Sequence, residues 1–113
     1  MNERDAIERL KEEILEELNG DDVGLWEPLW TLNGWYPAED ERSCEAVAEK
    51  ALRQLCEAGL IALYRMPWAT QDEGAKVPVP GSEVESELQA SWWREVPLPS
   101  GDVWVTKRTP AAE

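Results

Sequence analysis

Residues 56–66, CEAGLIALYRM, place a helix-ending glycine directly before an apolar run. The residues before Gly59 repeat apolar side chains at helical spacing, and glycine is favoured just past the end of a helix. The residues after it form a short apolar stretch with many β-formers, bounded by Pro67, which is typical of a strand. Because helix and strand meet at one glycine, we expect an α+β domain.

Helical spacing also predicts the first and the third helix of the chain. Residues from about 3–19 carry apolar side chains at 3-4-4 spacing and end at an Asn-Gly pair, which is a favourable C-cap. Residues from about 40–58 carry a similar apolar stripe, with Asp40 as the expected N-cap and Ser43 as the alternative. On the outer face of the third helix, Glu49 and Arg53 have the spacing of a favourable ion pair.

The second helix is predicted at about 25–34, in a stretch dense in leucine and tryptophan. Pro28 fits this helix only within the first turn, where its missing N–H costs nothing. Trp26 and Trp30 are one turn apart and therefore lie on the same side of the helix. We expect both indoles in the core, where they would anchor the second helix on the first.

A fourth helix is predicted at about 82–93. Ser82 and Glu85 have the spacing of a capping box. The apolar stripe of this helix consists of Val84, Leu88 and Trp92. We expect Trp92 to pack on the core and Trp93, which is displaced around the helix, to be more exposed.

Two predicted strands flank the fourth helix in the sequence. The first covers about 60–66 and the second about 102–108, where apolar and polar residues alternate after a turn-prone segment. Between the first strand and the fourth helix, Pro78 and Pro80 favour an extended, polyproline-like segment. We expect residues 109–113 to be a frayed tail.

The length and composition favour a single domain over residues 1–113. A chain of this size buries about two thirds of its unfolded surface and can form a core without a metal or a disulfide. Cys44 and Cys56 are about 18 Å apart along one predicted helix, too far for a disulfide, so we expect both thiols reduced and buried. The charged N-terminus and the lack of a long apolar run predict neither a signal peptide nor a membrane span, and we expect a cytoplasmic protein.

Catalytic residues, metal ligands and cofactor-binding residues are not expected. The chain has no histidine, which removes the usual neutral-pH proton shuttle and the commonest metal ligand. The sequence contains no Ser/His, Cys/His, phosphate-binding or metal motif, and its carboxylates have the spacing of exposed helix faces. Cys56 is followed by Glu57, whose negative charge disfavours the thiolate. We therefore predict that the protein is not an enzyme.

The order of three helices, a strand, an excursion and a returning strand resembles that of a winged helix-turn-helix domain. The resemblance rests on LCEAGLIALY and DVWVTKR, which are similar to the exit of a recognition helix and to two wing strands. It implies a winged-helix-like three-helix core with a two- or three-stranded β-wing and an extra helix inserted between the wing strands. Small uncharacterised bacterial proteins with such a core are similar, and this resemblance implies no particular activity.

The net charge of -13 weakens the DNA-binding role that the resemblance usually implies. Residues 1–58 carry 16 acidic against 6 basic side chains, whereas a winged helix that binds duplex DNA presents Lys and Arg on its third helix and wing. A basic wing supports an alternative, a DNA-binding transcriptional regulator. Its candidate DNA contacts are Arg65, Arg94, Lys107 and Arg108.

The leading hypothesis is a small acidic protein-interaction module with an unidentified, basic protein partner. The candidate partner-binding residues on the first and third helices are Glu12, Glu16, Glu45, Glu49 and Arg53. An inhibitor or immunity-like protein that binds a basic target is a further alternative. Because acidic faces repel each other, we expect a monomer or a weak homodimer, with neither a nucleic-acid nor a membrane partner.

Overall fold

The fold is α+β, as the sequence predicts. The computed structural model describes residues 1–66, 77–90, 93 and 103–107. In these residues the helices and strands follow in the order α1 (Glu3–Glu17), β1 (Val23–Gly24), α2 (Glu27–Trp35), α3 (Glu41–Glu57), β2 (Ile61–Arg65), β3 (Val77–Pro78), α4 (Gly81–Gln89) and β4 (Val103–Lys107). Each predicted helix and strand is present, and α4 is the one that ends well before its expected bound.

The third helix has the N-cap and the glycine end that the sequence predicts. The Asp40 carboxylate accepts the Ser43 N–H at 2.8 Å, so Asp40 and not Ser43 is the N-cap of α3. Gly59 follows α3 with a φ of 73°, in the left-handed region. The Leu60 N–H then donates to the Leu55 carbonyl at 3.0 Å, as in a Schellman motif. This turn lets the chain pass directly from α3 into β2.

The sheet is antiparallel, with the strand order β1-β4-β2-β3. The two predicted strands, β2 and β4, pair along their whole length, from Ile61 opposite Lys107 to Arg65 opposite Val103. The sheet has four strands where two or three are expected, because β1 and β3 add one strand at each edge. Each of these edge strands is two residues long, too short for an alternating pattern to reveal.

The expectation of a polyproline-like segment at Pro78 and Pro80 is wrong for part of its length. Val77 and Pro78 form β3 and pair with β2, and the Val79 N–H donates to the Leu63 carbonyl at 2.9 Å. Proline is tolerated here because β3 is an edge strand, where a missing N–H need not interrupt a ladder.

The two faces of the sheet pack against different groups of side chains. Because side chains alternate along a strand, β2 and β4 direct one set toward the helices, where the main core includes Ile61, Leu63, Val103 and Val105. The opposite face carries a second buried group, which we call the outer aromatic cluster: Trp26, Tyr64, Met66 and Trp104. The sheet is therefore buried on both faces at its centre.

The prediction that Trp26 and Trp30 anchor α2 on α1 is wrong. The two rings are in contact at 6.5 Å between centroids, so they share one side of the helix as expected. That side faces the outer aromatic cluster, where Trp26 is buried, and Trp30 lies beyond it with 53% of its surface exposed. Leu29 and Leu32 join α2 to the main core instead. Pro28 lies in the first turn of α2, as predicted.

The inserted helix is shorter than predicted, which changes the placement of Trp93. Leu88 is fully buried and Val84 packs against the main core, as expected, whereas Trp92 lies outside the described residues. The chain leaves the helix at Ala90, whose backbone is extended. Trp93 is therefore no longer in helical register with α4, and it is buried with its indole N–H directed at the Leu88 carbonyl. The prediction of an exposed Trp93 is wrong.

The predicted capping box is also absent from α4. The helix begins at Gly81, and the preceding residue, Pro80, has no side chain that can accept a hydrogen bond. Ser82 therefore lies inside the first turn, and the Glu85 carboxylate contacts α3 instead of the start of its own helix. A tertiary contact thus replaces the local one that the sequence suggests.

Candidate protein-interaction surface

The cations of α1 and α3 are largely engaged in contacts within the fold. The Lys11 ammonium lies 2.7 Å from the Glu8 carboxylate, and Lys50 of α3 pairs with Glu3 of α1. These pairs are exposed and each contributes little stability. Their consequence for function is that neither cation presents an uncompensated positive charge.

Arg53 joins α3 to the inserted helix. Its Nε and Nη2 atoms donate to the two carboxylate oxygens of Glu85 at 2.9 and 2.6 Å, and Nη2 also lies 3.2 Å from Glu49. The contact holds the pKa of Glu85 below its usual value, and hydrogen bonding to Glu85 raises the pKa of Arg53. The predicted Glu49–Arg53 pair is thus confirmed, and the guanidinium is chiefly occupied in holding α4.

Of the four residues predicted as candidate DNA contacts, Arg65 is the one whose backbone and side chain are both described by the structure. Arg65 on β2 pairs with Glu87 of α4, whose side chain is only 10% exposed. One carboxylate oxygen of Glu87 is buried without a hydrogen-bond partner. The remaining candidates, Arg94, Arg108 and the side chain of Lys107, lie outside the described residues.

The predicted partner-binding carboxylates fall on two different helices. Glu12 and Glu16 are exposed and one turn apart on α1. Glu45 and Glu49 are half-buried on α3, where Glu49 is paired with Arg53. The two pairs therefore belong to different elements of the fold.

A larger group of carboxylates surrounds the end of α1. We call this group the acidic ridge: Glu12, Glu13, Glu16 and Glu17 on α1, and Glu27 at the start of α2. Burial raises the pKa of Glu17 above its usual value, and repulsion from its neighbours in the ridge raises it further. Within the described part of the chain, no ion pair joins any ridge carboxylate to a cation. Sequence reasoning identified Glu12 and Glu16 but missed Glu27, whose charge acts on Glu17 only in the fold.

The outer aromatic cluster gives Trp30 a fixed support. Trp26 contacts Trp30 edge-on and also meets Trp104, with the Trp26 and Trp104 ring centroids 5.2 Å apart. The Trp104 indole N–H donates to the Met66 carbonyl at 3.0 Å, and the Tyr64 hydroxyl donates to Asp22 at 2.8 Å. The polar atoms of Trp104 and Tyr64 are therefore hydrogen-bonded, and Trp30 lies at the border of the cluster.

Gly24 allows the close approach of Trp26 to β1. A Cβ atom at this position would collide with the Trp26 indole. The Gly24 N–H also donates to the Glu27 carboxylate at the start of α2. The short strand β1 thereby fixes both the buried tryptophan and one member of the acidic ridge.

The opposite end of α2 carries a cation stacked on aromatic rings. The Arg9 guanidinium lies 3.8 Å from the centroid of the Trp35 ring and 6.0 Å from that of Tyr36. Such stacking is favourable because the face of an aromatic ring carries negative charge. Arg9 thus holds the end of α2 against α1.

The two cysteines are reduced, and neither has the properties of a nucleophile. Cys44 is buried, whereas Cys56 is only half-buried, so the prediction that both thiols are buried is wrong for Cys56. Burial raises the pKa of Cys56 to about 11, with a smaller contribution from Glu57, and burial also raises the pKa of Cys44. Cys56 lines a cleft of about 270 Å³ between α3 and α4. Both thiols stay protonated at neutral pH.

No protein-family model, curated protein or solved structure matches this chain. In the described ranges, no group of three or more His, Cys, Asp or Glu is placed to hold a metal ion. None of the helices described is both long enough and apolar enough to cross a membrane. The distribution of charge and the exposed aromatic surface are the features of the described residues that bear on function.

Proposed function

We propose that this protein is an acidic interaction module that binds a basic protein partner through the acidic ridge. The observation that carries the proposal is the position of Glu17, which lies among Glu13, Glu16 and Glu27 with its pKa raised by burial and by their charges. Cations supplied by a partner would relieve this repulsion and would be attracted to the ridge before contact.

The ion pairs of Lys50 and Arg53 on α3 and of Arg65 on β2 support a protein partner over DNA. Lys50, Arg53 and Arg65 each pair with a carboxylate of another element. A phosphate would have to displace those carboxylates, and displacing Glu85 and Glu87 would release α4 from α3 and β2. Affinity for duplex DNA depends mainly on such cation–phosphate contacts, so the DNA-binding alternative has little support on this surface.

We further propose that the scaffold is a winged helix with a helix inserted in its wing. Three features support this arrangement: a short connection between α2 and α3, the direct passage of α3 into β2, and the antiparallel pairing of β2 with β4. The inserted helix α4 lies between the wing strands in sequence. An inhibitor or immunity-like protein that binds a basic target is one biological form of the proposed function.

A charge-reversal experiment tests the proposed function. We would change Glu12→Lys and Glu16→Lys together, because both side chains are exposed and neither has a described ion pair. The matched control changes Glu57→Lys and Glu83→Lys, which are also exposed and alter the net charge equally. Exposed substitutions of this kind leave the fold intact, which thermal melting checks for each variant.

The readout is capture of proteins from a lysate of the source organism, followed by identification of the bound proteins. We expect wild type and control to retain a basic protein that the ridge variant loses, with binding that weakens as salt is added. Identical capture by all three proteins would contradict the proposal. Loss of the same protein by both variants would show that net charge, and not the ridge, determines binding.

A further inference from the structure

Trp30 is an exposed aromatic side chain on a rigid support. Its exposed fraction is 53%, although the neighbouring Trp26 is only 6% exposed. Trp26 holds the Trp30 ring edge-on and is itself fixed by Trp104 on the sheet. A ring held in this way loses little conformational freedom on binding, which is the property that makes tryptophan a frequent anchor of protein interfaces.

A carboxylate residue neighbours Trp30 on the surface of α2. Glu27 precedes it by three residues on α2, so the two side chains are neighbours on the helix surface. Glu27 in turn lies close enough to Glu17 to raise the pKa of that carboxyl. The exposed indole thus borders the acidic ridge. This combination suits a guanidinium group, which stacks on an aromatic face and binds a carboxylate at the same time.

The same chemistry already occurs at the other end of α2. Arg9 stacks on Trp35 at 3.8 Å and reaches Tyr36 at 6.0 Å. Among the residues that the structure describes, no cation lies over Trp30. The Trp35 ring is thus covered by an arginine of this chain, whereas no cation of the described residues covers the Trp30 ring.

We propose that Trp30 is the anchor of the partner surface and takes an arginine side chain from a basic segment of the partner protein, with Glu27 as the adjacent carboxylate. This inference rests on the proposed function, because the acidic ridge supplies the attraction that brings a basic segment to the indole. It adds a preference for arginine over lysine, since only the planar guanidinium stacks over the ring while it binds a carboxylate.

The test uses octaarginine and octalysine peptides, which carry equal charge, and the full chain. Affinities are measured by calorimetry at low salt for wild type, Trp30→Ala and a Trp30→Phe variant that keeps an aromatic face. We expect wild type to bind octaarginine roughly two- to fivefold more tightly than octalysine, the change that one exposed cation–π contact supplies. The preference should disappear in Trp30→Ala and persist in part in Trp30→Phe.

Three results would overturn the inference. Equal affinity of wild type for the two peptides, or an arginine preference that survives in Trp30→Ala, would remove Trp30 from the site while leaving a charge-driven interaction module. Concentration-dependent dimerisation of wild type that Trp30→Ala abolishes, measured by sedimentation, would show that a second copy of the chain occupies this surface. Failure of both peptides to bind in a salt-dependent way would reject the proposed function together with the inference.

Discussion

Leu88→Ala tests whether the inserted helix is part of the main core. Leu88 is fully buried in the cluster that joins the helices to the sheet. Replacement of a fully buried leucine by alanine costs about 2–5 kcal/mol, depending on how far the site can collapse. Because α4 is only nine residues long and can shift toward the gap, we expect a loss near the lower bound, about 2–3 kcal/mol. For a domain of this size the melting temperature would fall by roughly 10 °C.

The loss is measured by urea unfolding, with intrinsic tryptophan fluorescence as the probe. Ser86→Ala is the matched control, since Ser86 is exposed on the same helix and its replacement should change stability by no more than about 0.5 kcal/mol. A loss below about 1 kcal/mol for Leu88→Ala would refute the integral role of α4. An unchanged melting temperature of Leu88→Ala, together with selective proteolysis of α4, would also refute this role, because the helix would then open independently of the core.

Three further predictions concern the charged groups. In a double-mutant cycle measured by thermal melting, Arg53→Ala and Glu85→Ala should each lower the melting temperature, and the double variant should lose less than the two single losses combined, because both remove the same contact. Asp40→Ala should lower the melting temperature more than Ser43→Ala at pH 7. Since the Ser43 N–H lowers the pKa of Asp40 in the fold, that stabilisation is present above the unfolded pKa and is lost as the pH falls through the folded value. Glu17→Gln should raise the melting temperature at pH 7, because a carboxyl whose folded pKa is raised is destabilising when ionised; the gain should disappear as the pH falls through the folded pKa to below the usual value for Glu.

The sequence predicts the elements that are long enough to show a repeating pattern of apolar side chains. The helices and the two central strands have such patterns, and Gly59 marks the exact passage from α3 to β2. Periodicity also places Trp26 and Trp30 on one side of α2, but it does not identify what lies opposite that side. The pairing of β1 with β4 decides this point, because it brings Trp26 to the outer face of the sheet beside Trp104.

The same distinction between local and long-range information applies to the charged groups. The Glu49–Arg53 pair is predictable because its members are one turn apart on a single helix. The partner that engages Arg53 most closely, Glu85, lies on an inserted helix, and its contact depends on how the chain returns to α3. The approach of Glu27 to Glu17 depends in the same way on the turn between α1 and α2.

The most direct test of the proposed interaction surface is an NMR titration of the isotope-labelled chain with octalysine, which probes charge without stacking. Backbone amide shifts are followed at low salt and again at about 0.15 M salt, where exposed charges are screened beyond roughly 8 Å. We expect the largest shift changes at the acidic ridge, between Glu12 and Glu17 and at Glu27, with smaller changes at Glu45 and Glu49. Shift changes spread evenly over all exposed carboxylates, or concentrated on α3 and α4, would contradict the assignment of the ridge as the partner surface.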